Sequence, residues 1–283
     1  MNTPPVAITG ATGRLGGRVA RRLSELGVAQ RLIVRDPGRA PALARAEVRV
    51  ASYGDREPLA RALDGVETLL FVSGGESRTR LAQHFTLIDT AVACGVRHVV
   101  YTSFFGASPD ATFTLVRDHW ATEQRLREAG LPFTFLRDNL YLDFFPLMMG
   151  DDGVIRGPAG RGRVAAVAQD DIADVAVAVL RNPGAHAGAT YELTGPAALA
   201  LDEVAAALGR HLGREVRYED ESLDEAYRSR AKYGAEKWQL DAWISTYTAI
   251  AAGELARVTG DVQRVAGHAP IGLEEVLERG RVR

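Results

Sequence analysis

The sequence predicts an α/β protein built on a doubly wound parallel sheet, with a smaller and mostly helical C-terminal region. Three observations carry that prediction. Short apolar runs alternate with segments of helical spacing through the first 136 residues, the order expected of a parallel sheet covered by helices. The first run, Val6-Ala7-Ile8-Thr9, passes directly into glycines at 10, 13 and 16. The fourth, Thr68-Leu69-Leu70-Phe71-Val72, is apolar on both faces, as buried parallel strands are.

Taken in order, strands are expected at 6–9, 32–35, 48–51, 68–72, 99–103 and 133–136. Leu15, Val19, Leu23 and Leu26 recur at helical spacing and predict a helix over 13–26, stopped by Gly27. Asp36-Pro37-Gly38 marks a turn, and a short helix is expected over 41–45. Asp55 stands as the N-cap of a helix through 59–63. Longer helices are expected over 78–93 and 113–129, closed by Gly95 and Gly130. Six strands with five intervening helices follow, and right-handed crossovers place the strand ends along one edge.

After Leu136 the rhythm changes. Residues 139–149 are rich in aromatics and methionine, and 150–162 read as loop with a small strand. Then come a helix opened by Asp170-Asp171 and running to 180, a strand at 190–194, a helix at 201–212, a strand at 216–218 and mostly helix from 222. The expected organisation is a sheet body over 1–137 and a second region over 138–283, of which about 165–195 returns to the body.

Bulk composition narrows the function. The 283 residues are 46% hydrophobic and 25% charged, ordinary for a soluble globular chain long enough to bury a core. A net charge of −2 offers no electrostatic footprint for nucleic acid. The single Cys94 excludes an internal disulfide and an all-cysteine metal site. Neither a signal-peptide pattern nor a run of about 18 apolar residues is seen, so a cytoplasmic protein without a membrane partner is expected. Six scattered histidines show no H-E-x-x-H spacing, and no metal site is expected. Ser73 lacks the G-x-S-x-G elbow of a hydrolase, and no P-loop lysine follows the glycines.

The glycine stretch carries the chemistry. Glycine permits positive φ and close approach of backbone to a ligand. A helix beginning there presents unpaired N–H groups and the positive end of its dipole. Together these form an anion cradle suited to a pyrophosphate. The spacing G-x-x-G-x-x-G matches the Rossmann dinucleotide fingerprint in kind. Arg35 ends the second strand, where an acid would bind the ribose 2′-hydroxyl of NAD and an arginine accommodates the 2′-phosphate of NADP. Arg39 lies one turn further and offers a second positive group. Asp36 presents an acid one residue later, so NADPH is expected and NADH stays possible.

Gly10-Ala11-Thr12-Gly13-Arg14-Leu15-Gly16, Val100-Tyr101-Thr102-Ser103-Phe104-Phe105-Gly106-Ala107 and Arg117-Asp118-His119-Trp120-Ala121-Thr122-Glu123 together carry a family resemblance. So do Gly130-Leu131-Pro132-Phe133-Thr134-Phe135-Leu136-Arg137 and Tyr191-Glu192-Leu193-Thr194-Gly195-Pro196. The chain resembles the atypical, NmrA-like short-chain dehydrogenases, in the branch of NAD(P)H-dependent quinone and triphenylmethane reductases. The resemblance implies a Rossmann core and a C-terminal substrate-binding cap. It places Gly10, Thr12, Gly13, Arg14, Leu15 and Gly16 against the pyrophosphate, Val72 and Ser73 on the adenosine or ribose side, and Ser103 and Phe104 beside the nicotinamide ribose. Ser52 stands where the family often has an acid near the adenine.

Ordinary members of the wider family use a Tyr-x-x-x-Lys pair. The matching positions here are Leu115 and His119, still four apart on one helix face. The resemblance makes His119 the catalytic candidate, holding the nicotinamide ribose or helping to place substrate. Asp118 and Glu123 read as solvated helix charges or local pairs. Without the phenol, suitable acceptors are those whose reduced form is intrinsically stabilised: a quinone gives a phenolate, ionising near about pH 10, and a cationic dye carbon needs no proton. Phe105, Asn139, Tyr141 and Phe144 are the expected substrate-binding residues, an adaptable wall for a flat aromatic or conjugated molecule. The function expected is an NADPH-dependent oxidoreductase passing hydride to a quinone or similar conjugated electrophile. A redox sensor that binds NADP(H) without turnover, and a reductase of an enone or imine in a specialised pathway, stay open. So do a monomer and a homodimer.

Overall fold

Seven strands lie side by side in one sheet in the computed structural model, which describes residues 5–280. The sheet is built from β1 (Val6–Thr9), β2 (Gln30–Val34), β3 (Ala46–Val50), β4 (Thr68–Phe71), β5 (His98–Phe104), β6 (Phe133–Asp138) and β7 (Thr190–Leu193). The helices between them are α1 (Arg14–Glu25), α2 (Arg56–Leu63), α3 (Arg80–Ala93), α4 (Thr114–Glu128) and α5 (Gln169–Arg181). Strand order is β3-β2-β1-β4-β5-β6-β7. Ile8 lies opposite Leu32 on one side and Leu70 on the other, both in parallel register. The order therefore reverses between β1 and β4, where doubly wound sheets open a ligand crevice at the carboxyl ends of their strands.

Burial explains the strands. Ala7, Ile8, Leu69, Leu70, Phe71, Val99 and Val100 have no exposed surface. Ala7, Leu69, Phe71, Val99 and Tyr101 pack with Leu59, Leu63, Leu87 and Ile88 of α2 and α3 in one cluster. β3 is the sheet edge, and all but its first residue are exposed, charged Glu47 and Arg49 among them, a composition that discourages edge-to-edge pairing.

Two local expectations are corrected. Residues 41–45 are not helical; instead Pro37–Arg39 forms a 3-10 turn, capped by the Asp36 carboxylate accepting from Gly38 N–H at 2.9 Å. Proline suits the first position of such a turn because its missing N–H would have no partner there. The first six strands are thus joined by four α-helices and this turn. Leu26, assigned to the apolar stripe, is 51% exposed, because the helix ends at Glu25 and the buried stripe at Leu23.

The chain divides into two compact units: Met1–Phe104, Asp118–Arg137 and Ile172–Tyr191 make the first, and Phe105–Arg117, Asp138–Asp171 and Glu192–Arg283 the second. The second holds a parallel pair, Val154–Gly157 with Arg217–Asp220, and an antiparallel pair, Arg163–Val164 with Leu199–Ala200. Its longer helices are Leu201–Leu212 and Lys237–Ala251. Among the described residues no helix is long and apolar enough to cross a membrane.

Gly16 sets how closely α1 approaches β1. A Cβ there would lie 2.4 Å from the Gly10 carbonyl oxygen and 3.0 Å from that of Thr9. Gly16→Ala is therefore expected to cost about 1–3 kcal/mol in urea unfolding, the range for overpacking. Gly75→Ala, where a Cβ meets nothing within 4 Å, should stay within about 0.5 kcal/mol of the native chain.

Candidate functional site

The glycine loop turns the chain from β1 into α1. Gly10 adopts φ +66°, and its carbonyl accepts from Gly13 N–H at 2.9 Å. Gly13 is the N-cap, so the amides of Leu15 and Gly16 fall in the first turn, where no helix carbonyl lies four residues back. The Leu15 side chain and Gly16 are buried, whereas Gly13 and Arg14 are exposed. A Cβ at Gly10 would lie 3.1 Å from Val72 Cβ, so the residue just past β4 closes one side of the loop.

A cavity of about 310 Å³ opens at these strand ends. Gly10, Thr12, Arg35, Ser52 and Ser73, five of the residues singled out from the sequence, lie on its wall, with Tyr53, Gly74 and Gln83. Arg39 sits on the exposed 3-10 turn. The Asp36 carboxylate caps that turn.

The backbone from Val72 to Gly74 leaves the sheet as a loop, and side chains take its hydrogen bonds. Val72 N–H donates to Thr9 Oγ1 at 2.9 Å, and the Tyr53 hydroxyl donates to Val72 O at 2.6 Å. Ser73 N–H donates to Thr102 Oγ1 at 2.9 Å. Gly74 N–H donates to His84 Nε2 at 2.9 Å, and Arg80 Nε donates to Gly74 O at 2.9 Å. Burial pushes the Tyr53 phenol up to about 12. Burial first, then the Arg80 guanidinium, pushes His84 down to about 3, so it is a neutral acceptor at ordinary pH.

His119, the catalytic candidate, is buried. Its Nε2 lies 2.8 Å from Arg80 Nη2 and its Nδ1 3.0 Å from the Tyr101 hydroxyl. Arginine can only donate, so Nε2 accepts and Nδ1 carries the proton. Burial, then Arg80 and His84, hold the imidazole well below its usual range. Both ring nitrogens are thus engaged by the protein, and a hydrogen bond to a ribose or substrate would have to break one of them. Asp118 pairs with Arg80 at 3.3 Å.

Glu123 is not a solvated helix charge. It is completely buried and paired, locally with Arg127 four residues on at 3.4 Å and with Arg137 through both oxygens at 2.8 and 2.7 Å. The Ser103 hydroxyl donates to the same carboxylate at 2.7 Å, which turns it into the protein. Phe104 is half-buried, its ring 6.0 Å from that of His119.

In the second unit, Phe105 is buried with the Arg257 guanidinium 5.0 Å above its ring. Asn139 is also buried; its amide donates to Leu255 O at 3.0 Å and accepts from Leu140 N–H at 2.7 Å. These two side chains serve the unit's packing and hydrogen bonding, not an open wall. Tyr141 and Phe144 are more open: their rings meet edge to face at 5.2 Å, and Phe144 is 42% exposed. The Tyr141 hydroxyl donates to Asp138 Oδ2 at 3.2 Å. Burial raises the Asp138 carboxyl well above the usual carboxylate range.

Arg80 and His84 escaped the sequence reading. The signal was present: two polar residues four apart on the helix face that also carries Leu87, Ile88 and Ala91. Among the described residues no group of histidine, cysteine or carboxylates could hold a metal ion. The cavity wall carries Gly10 and Thr12 of the loop that leads into α1 and a cation, Arg35, at the end of β2, a lining that fits a dinucleotide phosphate.

A profile of the NmrA-like family matches residues 2–250. The chain is 34% identical over 278 residues to quinone oxidoreductase 2 of Escherichia coli K12, across 95% of this chain and 96% of that one. Among solved structures it is similar to the E. coli NADPH-dependent quinone oxidoreductase complexed with NADPH, with a TM-score of 0.87, 32% identity and coverage of 98% and 99%. It is also similar to Citrobacter sp. triphenylmethane reductase complexed with NADP(H), with a TM-score of 0.85, 32% identity and coverage of 97% and 99%.

The buried histidines make stability depend on pH. His84 falls from an ordinary 6.5 to about 3 on folding. Between those values the unfolded chain binds a proton that the native chain does not, so this contribution favours folding less as pH falls through the window. His84→Gln removes that proton. Near about pH 5 the slope of unfolding free energy against pH should therefore flatten by roughly 1.4 kcal/mol per pH unit in urea titrations.

Proposed function

The chain belongs to the NmrA-like family, and from that membership we propose that it is an NADPH-dependent reductase delivering hydride to a quinone or a similarly conjugated electrophile. The observation that carries the reading is Arg35 on the cavity wall, with the neighbouring Asp36 carboxylate occupied as a turn cap. A guanidinium there complements a 2′-phosphate, while the Asp36 carboxylate is drawn toward the turn by the Gly38 amide on one of its oxygens. Both solved relatives named above contain NADPH or NADP(H).

When bound, NADPH supplies the hydride. The chain's own residues position it: Gly10, Thr12 and the first-turn amides of Leu15 and Gly16 receive the pyrophosphate, Arg35 the 2′-phosphate, and Ser73 the adjoining ribose. Gly13 lets the helix start close to the phosphates, while exposed Arg14 and Arg39 add positive potential nearby. Leu115 supplies no phenolic proton, and the Ser103 hydroxyl is directed at Glu123. The residues therefore favour an acceptor whose reduced form needs little acid assistance. Tyr141 and Phe144 are the side chains we assign to a flat acceptor. Catalysis then rests mainly on holding the reactants in register.

Following NADPH and NADH oxidation against a panel of quinones, enones and cationic dyes tests this reading. NADPH should be preferred, and Arg35→Ala should raise KM for NADPH by roughly 10–100-fold, the loss of a charge-assisted contact, with little change for NADH. A wild-type preference for NADH, or an NADPH preference that survives the substitution, contradicts the cofactor assignment. Tight NADPH binding without turnover of any acceptor would leave a cofactor sensor.

A further inference from the structure

We infer that Arg80 and His84 are positioning residues for the cofactor: they fix the Gly74 peptide, and with it one wall of the cavity, in the geometry that receives a dinucleotide. This rests on the reading of that cavity as the NADPH site. His84 takes the Gly74 N–H and Arg80 the Gly74 carbonyl. Gly74 itself lines the cavity, and a Cβ on it would lie 3.2 Å from His84 Nε2. The imidazole edge therefore rests against the peptide that it holds.

Each arm of this clamp is anchored again at α4. The Thr122 hydroxyl donates to Asp118 O at 2.7 Å, so it accepts from His84 Nδ1–H at 2.9 Å. That fixes the tautomer: Nδ1 carries the proton and Nε2 presents its lone pair to Gly74. Arg80 extends to Asp118 and to His119 Nε2. His119 thereby acts through Arg80.

The burial is costly for a merely structural role. His84 is 0% exposed and Arg80 4%, and apolar residues at the same helix positions would fill space without desolvating a cation or an imidazole. What apolar side chains could not do is hold both polar groups of one loop peptide. A loop continuing through Gly75 would otherwise have to be ordered by the ligand, at the ligand's expense in affinity.

The test separates the two ring nitrogens of His84. Gln places an acceptor near the position of Nε2; Asn reaches only as far as Nδ1. In NADPH titrations His84→Gln should keep Kd within about threefold of wild type, whereas His84→Asn should weaken binding about tenfold, the loss of one buried hydrogen bond. Circular dichroism confirms that both are folded. In the wild-type protein, nitrogen NMR of the ring should show a protonated Nδ1 and a bare Nε2, and the Gly74 amide should be protected from hydrogen exchange. Equal Kd for the two folded variants, a protonated Nε2, or an unprotected Gly74 amide overturns the positioning role. Should either variant fail to fold, the two wild-type measurements decide. Failure of the wild-type chain to bind NADPH overturns the cofactor reading, and the positioning role with it; equal variants in a wild type that binds NADPH overturn the positioning role alone.

Discussion

Backbone that leaves a sheet must still pair its polar groups, and that constraint organises the first unit. Between Val72 and Gly74 the chain runs off the end of β4 into the cavity wall, where the backbones of the neighbouring strands no longer supply these partners. Thr9, Tyr53, Thr102, His84 and Arg80 supply them instead. An unmade hydrogen bond there would cost the desolvation of a buried amide or carbonyl. The polar residues that look out of place in an apolar interior are the ones that answer this need.

The same logic accounts for α4. Its inner face carries Thr122, His119 and Glu123, all buried. Each has a specific partner: His84 for Thr122, Arg80 and Tyr101 for His119, Arg137 and Ser103 for Glu123. The helix serves here as an anchor. The His119 imidazole, held well below its usual range by burial and by Arg80, is neutral. The cationic group at this point of the core is Arg80, contributed by a different helix.

Much of this was legible in the sequence, and the divide has physical causes. Strands β1, β4 and β5 read clearly because they are buried on both faces, and the glycine loop because Gly10 needs positive φ and Gly16 has no room for a side chain. Arg35 was singled out as a charge ending the second strand, and it lies on the cavity wall. Hydrogen-bond partners far apart in the chain were not legible. Nothing local says that Asn139 is used by Leu255, or that Glu123 is neutralised by Arg137, 14 residues later and on a strand. The helix expected over 41–45 failed because Pro37 and the Asp36 cap had already set the connection as a tight turn. His119 was read correctly as unusual, but an unusual residue can face another residue as readily as a ligand.

The capped turn after β2 has one more consequence, for how readily the protein could change its coenzyme over evolution. Replacing Arg35 by a neutral residue removes a cation and leaves the Asp36 carboxylate beside the cavity, with one oxygen already accepting from the Gly38 amide. Turning that carboxylate toward a ribose would give up the cap of the turn that carries Arg39 and leads toward the edge strand. A change of reductant routed through Asp36 is therefore coupled to the stability of this loop, whereas an acid placed at position 35 itself would leave the cap intact.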